Sequence, residues 1–219
     1  MKKSYLVFLL IILSAFFPRP GHGDSEYVIF DDKMLLDGYA KKYAEESKEV
    51  LLAIIRDDKI SPYKTAAAVR VLREHYSKEI FAAEKKIIEK ILLRRLSRAE
   101  SSFVEIEIMH TLCVLDRYKY FESLIPLMIQ LLDHYNSAVN EIAYNSINDI
   151  LTNGPKRPRE ARIVFNTLRK ILFLSRKKYE NIKEPSLKLK QKLDFVRWAI
   201  KILGTQELQK LPPEIIDFL

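Results

Sequence analysis

The sequence predicts an all-α fold: an α-solenoid of about four helical hairpins, with a compact multi-helix bundle as the alternative. Three observations carry that expectation. Glycine is scarce, and Gly38, Gly154 and Gly204 are the only ones beyond residue 23. Apolar residues recur at steps of three and four, while the period-two alternation of strands is nearly absent. The apolar spacing of every second helix also returns after 35 to 50 residues, the range of hairpin repeats.

The first 23 residues stand apart. Lys2 and Lys3 precede an apolar run, Tyr5 to Phe17, broken only by Ser14. Pro18 and Pro20 follow, then Gly21 and Gly23 just before Asp24. This is the layout of a secretory signal peptide. The run is shorter than the roughly 18 residues that span a bilayer, so an uncleaved N-terminal anchor is the alternative. The expected organisation is a signal peptide at 1–23 and one helical repeat domain at 24–219. Cleavage would remove Lys2, Lys3 and Arg19, lowering the formal charge from +8 to +5. A charge of that size permits attraction to anionic surfaces without requiring nucleic acid. The chain is expected to be secreted or periplasmic.

Helices are expected at about 33–56, 62–76, 79–98, 102–117, 119–134, 137–152, 158–179 and 185–203. Breakers separate them. In "DDKISP", Ser61 suits an N-cap and Pro62 the first helical position. "SRAESS" and "HYNS" divide the next pairs, and Asn136 suits an N-cap. "TNGPKRPRE" holds Gly154, Pro155 and Pro158, the strongest stop in the chain. "NIKEPS" ends the seventh helix and Gly204 the eighth. The apolar tail residues Ile215, Ile216, Phe218 and Leu219 are expected to cover an end of the core.

Val139, Ala143, Ser146 and Ile150 fall at steps of four, three and four, and Val104, Ile108, Thr111 and Leu115 repeat the pattern 35 residues earlier. Leu189, Leu193, Val196 and Ile200 repeat it 50 residues later. Tyr63, Ala67, Arg70 and Glu74 match only in their first two members, and Val71 is the better core candidate there. Phe121, Leu124, Ile125, Leu127, Met128, Ile129, Leu131 and Leu132 make the fifth helix apolar on most of its circumference, which demands burial between neighbours.

At "LIPLMIQLLDHYNSAVNEIAYNSINDIL", Leu124 to Leu151, the chain resembles a HEAT repeat. Pro126 matches the family's first-helix proline, and Val139, Ala143 and Ser146 its second-helix packing positions. "LLAIIRDDKISPYKTAAAVRVL", Leu51 to Leu72, is a looser copy, with Lys64 in the basic place and Ala67 and Ala68 in the small ones. Asn140 stands where the family usually has Arg or Lys, and His134 where it has its turn aspartate, with Asp133 one residue early. The resemblance implies an α-solenoid. Some HEAT-like proteins are DNA-repair glycosylases that wrap duplex DNA on a basic face, so a nucleic-acid-binding enzyme is a low-ranked alternative.

Neither a nucleophile elbow nor a phosphate loop occurs. His75, His110 and His134 have no metal-binding spacing. No cofactor, metal or catalytic role is expected. Cys113, the only cysteine, cannot form an intrachain disulfide and reads as a buried small hydrophobe or a groove residue. The turn "RDD", Arg56 to Asp58, reads as capping acids after a helix.

With Val139, Ala143, Ser146 and Ile150 inward, Asn140, Tyr144 and Asn148 are expected outward, with Glu141 and Asn145 beside them. The 35-residue offset adds Glu105, Met109 and Cys113 to this row, and His110 takes the place of Asn145. The 50-residue offset adds Lys190, Asp194 and Trp198. Aromatic and Met side chains among short polar groups suit a protein-binding face. The expected partner-binding set is Asn140, Tyr144, Asn145, Asn148, Glu105, Met109 and His110. Basic clusters offer a second surface: Arg94, Arg95 and Arg98; Lys156, Arg157, Arg159 and Arg162; and Arg176, Lys177, Lys178 and Lys183. The stiff loop at 153–162 is the favoured docking site for an anionic membrane or wall polymer. The functional expectation is therefore a non-catalytic adaptor or scaffold of a bacterial-type cell envelope that binds another envelope protein. Nucleic acid is not expected as a partner.

Overall fold

A capping side chain opens four of the helices among the described residues, and a proline in the first turn opens three more. A computed structural model describes residues 32–219, so the expected signal segment lies outside the described residues. The helices are α1 Asp32–Tyr43, α2 Lys48–Arg56, α3 Pro62–Val71, α4 Ala82–Leu96 and α5 Ser102–Leu115. They continue as α6 Arg117–Gln130, α7 Ser137–Thr152, α8 Pro158–Leu174, α9 Leu187–Leu203 and α10 Pro213–Ile216. Among the described residues no strand is present.

Asn136 Oδ1 accepts from the backbone N–H groups of Ala138 (2.9 Å) and Val139 (3.4 Å), satisfying donors that the first turn of α7 leaves over. Asp116 does the same for Lys119 at 3.1 Å, and Ser186 for Leu189 at 3.4 Å. Ser61 and Pro62 occupy the expected places, although the Ser61 hydroxyl makes no capping bond.

The expected single helix at 33–56 is corrected: it breaks after Tyr43, and Ser47 restarts the chain as the N-cap of α2. Ser47 Oγ accepts from Val50 N at 3.4 Å. No Gly or Pro marks this break; only the polar run Glu45 to Glu49 interrupts the apolar steps. The break lets α1 fold back onto α3.

Four hairpins follow: α2 with α3, α4 with α5, α6 with α7, and α8 with α9. Each packs on the next in chain order. The second helices α3, α5, α7 and α9 neighbour one another in sequence, and α2 meets α4 as α6 meets α8. One apolar core runs from Leu36 in α1 through Phe121 and Phe165 to Ile215 in α10. Burying each such side chain is worth roughly 1.5–3 kcal/mol before conformational entropy is charged. The tail largely does what its composition implies. Leu211 and Ile215 are buried, Phe218 and Leu219 pack against the core, and Arg197 donates to the Phe218 carbonyl at 2.6 Å. Ile216 stays exposed.

Gly154 leaves room for a close approach. A Cβ there would stand 2.2 Å from Nη1 of Arg117. That guanidinium donates to the Ile150 carbonyl at the end of α7 and to Glu160 in α8 at 2.6 Å, joining the third hairpin to the fourth. Gly204 ends α9 at φ +103°, in the region that side chains disfavour.

Candidate functional site

The row expected to face outward divides when the helices pack. Asn145 and Asn148 are exposed on α7. Tyr144 is half-buried; its hydroxyl donates to Asp194 of α9 at 3.1 Å, and its ring lies 5.1 Å from that of Phe195. Desolvation and Asp194 raise the Tyr144 pKa, so the phenol stays protonated and donates. Glu105 is half-buried on α5.

The other three members are corrected. Asn140 is buried, and its side-chain amide donates to the Leu132 carbonyl where the chain leaves α6. Met109 is 3 % exposed and His110 is 4 % exposed, so α5 presents neither to a partner. Cys113 is buried as well, and burial pushes its thiol up to about 12. The physical cause is the width of the buried arc. Helix α5 packs against α3, α4, α6 and α7, so almost its whole circumference is covered.

His110 belongs to a buried polar seam. Its Nε2 lies 2.8 Å from Asp149 Oδ2 on α7. Desolvation, then Arg73, lowers its pKa, leaving a neutral ring that donates to the carboxylate. One turn earlier, Glu107 meets Arg73 at 2.5 Å and Arg70 at 2.7 Å. Burial pushes the Glu107 carboxyl up, but the two guanidinium groups outweigh it and hold it below its usual range. Arg70 also reaches Asp37 of α1 at 2.6 Å. This seam bonds α1, α3, α5 and α7 into one body. Helix α1 adds Asp32, which accepts from Tyr63 (2.6 Å) and Asn136 (2.7 Å). Lys33 pairs with Glu141 at 2.5 Å. The chain's own α1 thus occupies part of the face expected to receive a partner.

The basic loop is largely paired. Arg157 lies 3.7 Å from Glu160, Arg159 lies 2.5 Å from Glu122, and Arg162 lies 2.7 Å from Glu207. Among the described residues Lys156 alone of the four has no ionic partner. Arg94, Arg95 and Arg98 instead converge on one carboxylate, Asp58, at 3.8, 3.1 and 2.7 Å. Asp58 and these arginines lie 36 to 40 positions apart in the chain, which hides their pairing from a charge run read alone. Lys90 joins Arg94 on one face of α4 at the four-residue spacing, a signal that the charge runs leave out.

Among the described residues no three His, Cys, Asp or Glu gather to hold a metal ion, and no helix is long and apolar enough to cross a membrane. Comparison with known proteins finds no matching family model, curated protein or solved structure.

Proposed function

We propose that the chain is a non-catalytic adaptor, a HEAT-like α-solenoid that holds another protein of the cell envelope along the outward side of α7 and α9. The observation that carries this reading is the placement of Asn145 and Asn148. Both are exposed interior positions of a well-packed helix, filled by a weak helix former that the core does not require. Half-buried Tyr144 lies beside them, with Lys190 and Asp194 exposed on α9. An amphipathic aromatic amid short polar groups is a common anchor of protein interfaces. The chain-order packing of the hairpins supports the solenoid over a closed bundle, because each hairpin meets the ones adjacent to it. The basic start, apolar run and small residues before Asp24 support a secreted or periplasmic setting.

Site-specific photocrosslinking in the source cell tests the reading. A photoreactive residue at Asn148 should yield one discrete adduct, and one at Asn166 on the exposed side of α8 should not. Asn145→Ala, at an exposed position, should weaken the adduct at 148 while leaving the thermal midpoint nearly unchanged. Adducts at 166 with none at 148 would reject this face.

A further inference from the structure

We propose that the cleft between the end of α2 and the second half of α4 is a binding site for a phosphate group. Its charged lining is Arg56, Lys90, Arg94, Arg95 and Asp58, four cations against one carboxylate, over an apolar floor of Ile55 and Ile91. The cleft encloses about 140 Å³, well above the roughly 10–15 Å³ that one water needs. Asp58 is already shared. It accepts from Arg98 at 2.7 Å and from Arg95 at 3.1 Å, and its carboxyl is held low first by the Arg98 bond. Its two oxygens accept about four hydrogen bonds, fewer than three guanidinium groups can donate.

The decisive observation is Arg95. Its side chain is buried, with 8 % of the residue exposed, yet its Nε–H has no acceptor. An unsatisfied buried donor on a charged group is costly and rare in native proteins. The Nε edge of a guanidinium is part of the planar fork that meets phosphate in paired hydrogen bonds. A phosphate monoester brings two negative charges and several acceptors, which suits the excess of cations, and the Arg95 Nε–H, shut from solvent, meets one of those acceptors once the side chain turns into the cleft. Arg94 and Lys90, both exposed at the rim, would close on its outer oxygens.

The test follows the Arg95 Hε resonance in ¹⁵N-labelled full chain by NMR. Inorganic phosphate and pyrophosphate form one arm. Phosphatidylcholine vesicles, with and without phosphatidic acid, form the other. The resonance should move saturably with the phosphate-bearing ligand of at least one arm. Arg94→Gln, at an exposed position that leaves the fold intact, should weaken binding roughly tenfold, the loss of one charge-assisted hydrogen bond. Asp58→Asn should tighten it by removing a competing carboxylate. Arg157→Gln, far from the cleft, should leave it unchanged. A response to phosphatidic acid vesicles alone assigns the site to a lipid headgroup. A response to free phosphate or pyrophosphate assigns it to a soluble ligand. An unmoved Arg95 Hε in both arms, or equal weakening by Arg94→Gln and Arg157→Gln, would overturn the proposal.

Discussion

Helices α5 and α7 hold equivalent places in the 35-residue spacing, but they meet their surroundings differently. Helix α5 is buried at ten of its fourteen positions, and two of the ten are Glu107 and His110. Helix α7 is buried at eight of sixteen and keeps Asn145 and Asn148 in solvent. The cause lies in the neighbours. Helix α5 is flanked by α3 on one side and α7 on the other, while the contact of α7 with α9 is much smaller. Equal register in a repeat therefore does not mean equal exposure. A central helix must satisfy its polar groups internally, and it does so with ion pairs. A helix nearer the end can leave polar side chains to water.

The largest effect should come from breaking the seam of α5. Glu107→Ala would strand Arg70 and Arg73 without their shared carboxylate in a largely dry site. Removing one partner of a buried ion pair typically costs about 3–5 kcal/mol. Urea denaturation followed by circular dichroism should show that loss. A change under about 1 kcal/mol would mean that water reaches the pair and screens it.

A smaller effect should separate two asparagines on α7 itself. Asn140→Ala removes the donor to the Leu132 carbonyl and leaves that buried acceptor unpaired, at a cost of about 1–3 kcal/mol. Asn148→Ala touches an exposed position and should fall within about 0.5 kcal/mol of the parent. Equal costs in the same denaturation series would erase the distinction between the two sides of this helix.

The contrast explains what was legible in the sequence. Helix α7 begins at Ser137 and ends at Thr152, as its cap and apolar steps imply. The inward direction was also right, since Val139, Ala143, Ser146 and Ile150 are all buried. Apolar spacing gives the mean direction of a helix but not the width of its buried arc. Asn140, Ile147 and Leu151 form a second seam with Ala143 on α7, and all four are buried. That width depends on neighbours far along the chain. The break before Ser47 was hidden because a serine cap can end one helix and start another without glycine or proline. The pairing of Arg159 with Glu122 and of Arg95 with Asp58 joins residues 37 apart. A charge run read alone therefore overstates the free charge.

The smallest effect concerns pH and again sets α5 against α7. Burial and Arg73 depress His110 below its usual 6.5, so the unfolded chain binds that proton more readily than the folded one. Stability should therefore fall as pH drops below about 6.5 and continue to fall until the folded ring also titrates. His134, lowered by its own burial, acts in the same direction. Asp149, held low first by its bond to His110, contributes separately. Its share is present above its usual 3.8 and is lost only as pH falls through the folded value. The His110 window opens below 6.5 and the Asp149 window only below 3.8, so a series held above 4.5 reads the histidine. His110→Gln keeps a donor that can face Asp149 but does not titrate. Urea midpoints measured from pH 7.5 to 4.5 should decline less steeply between 6.5 and 5 in this variant than in the parent. Parallel profiles would show that the α5–α7 seam admits a charged histidine, and that the burial separating these two helices does not govern its proton.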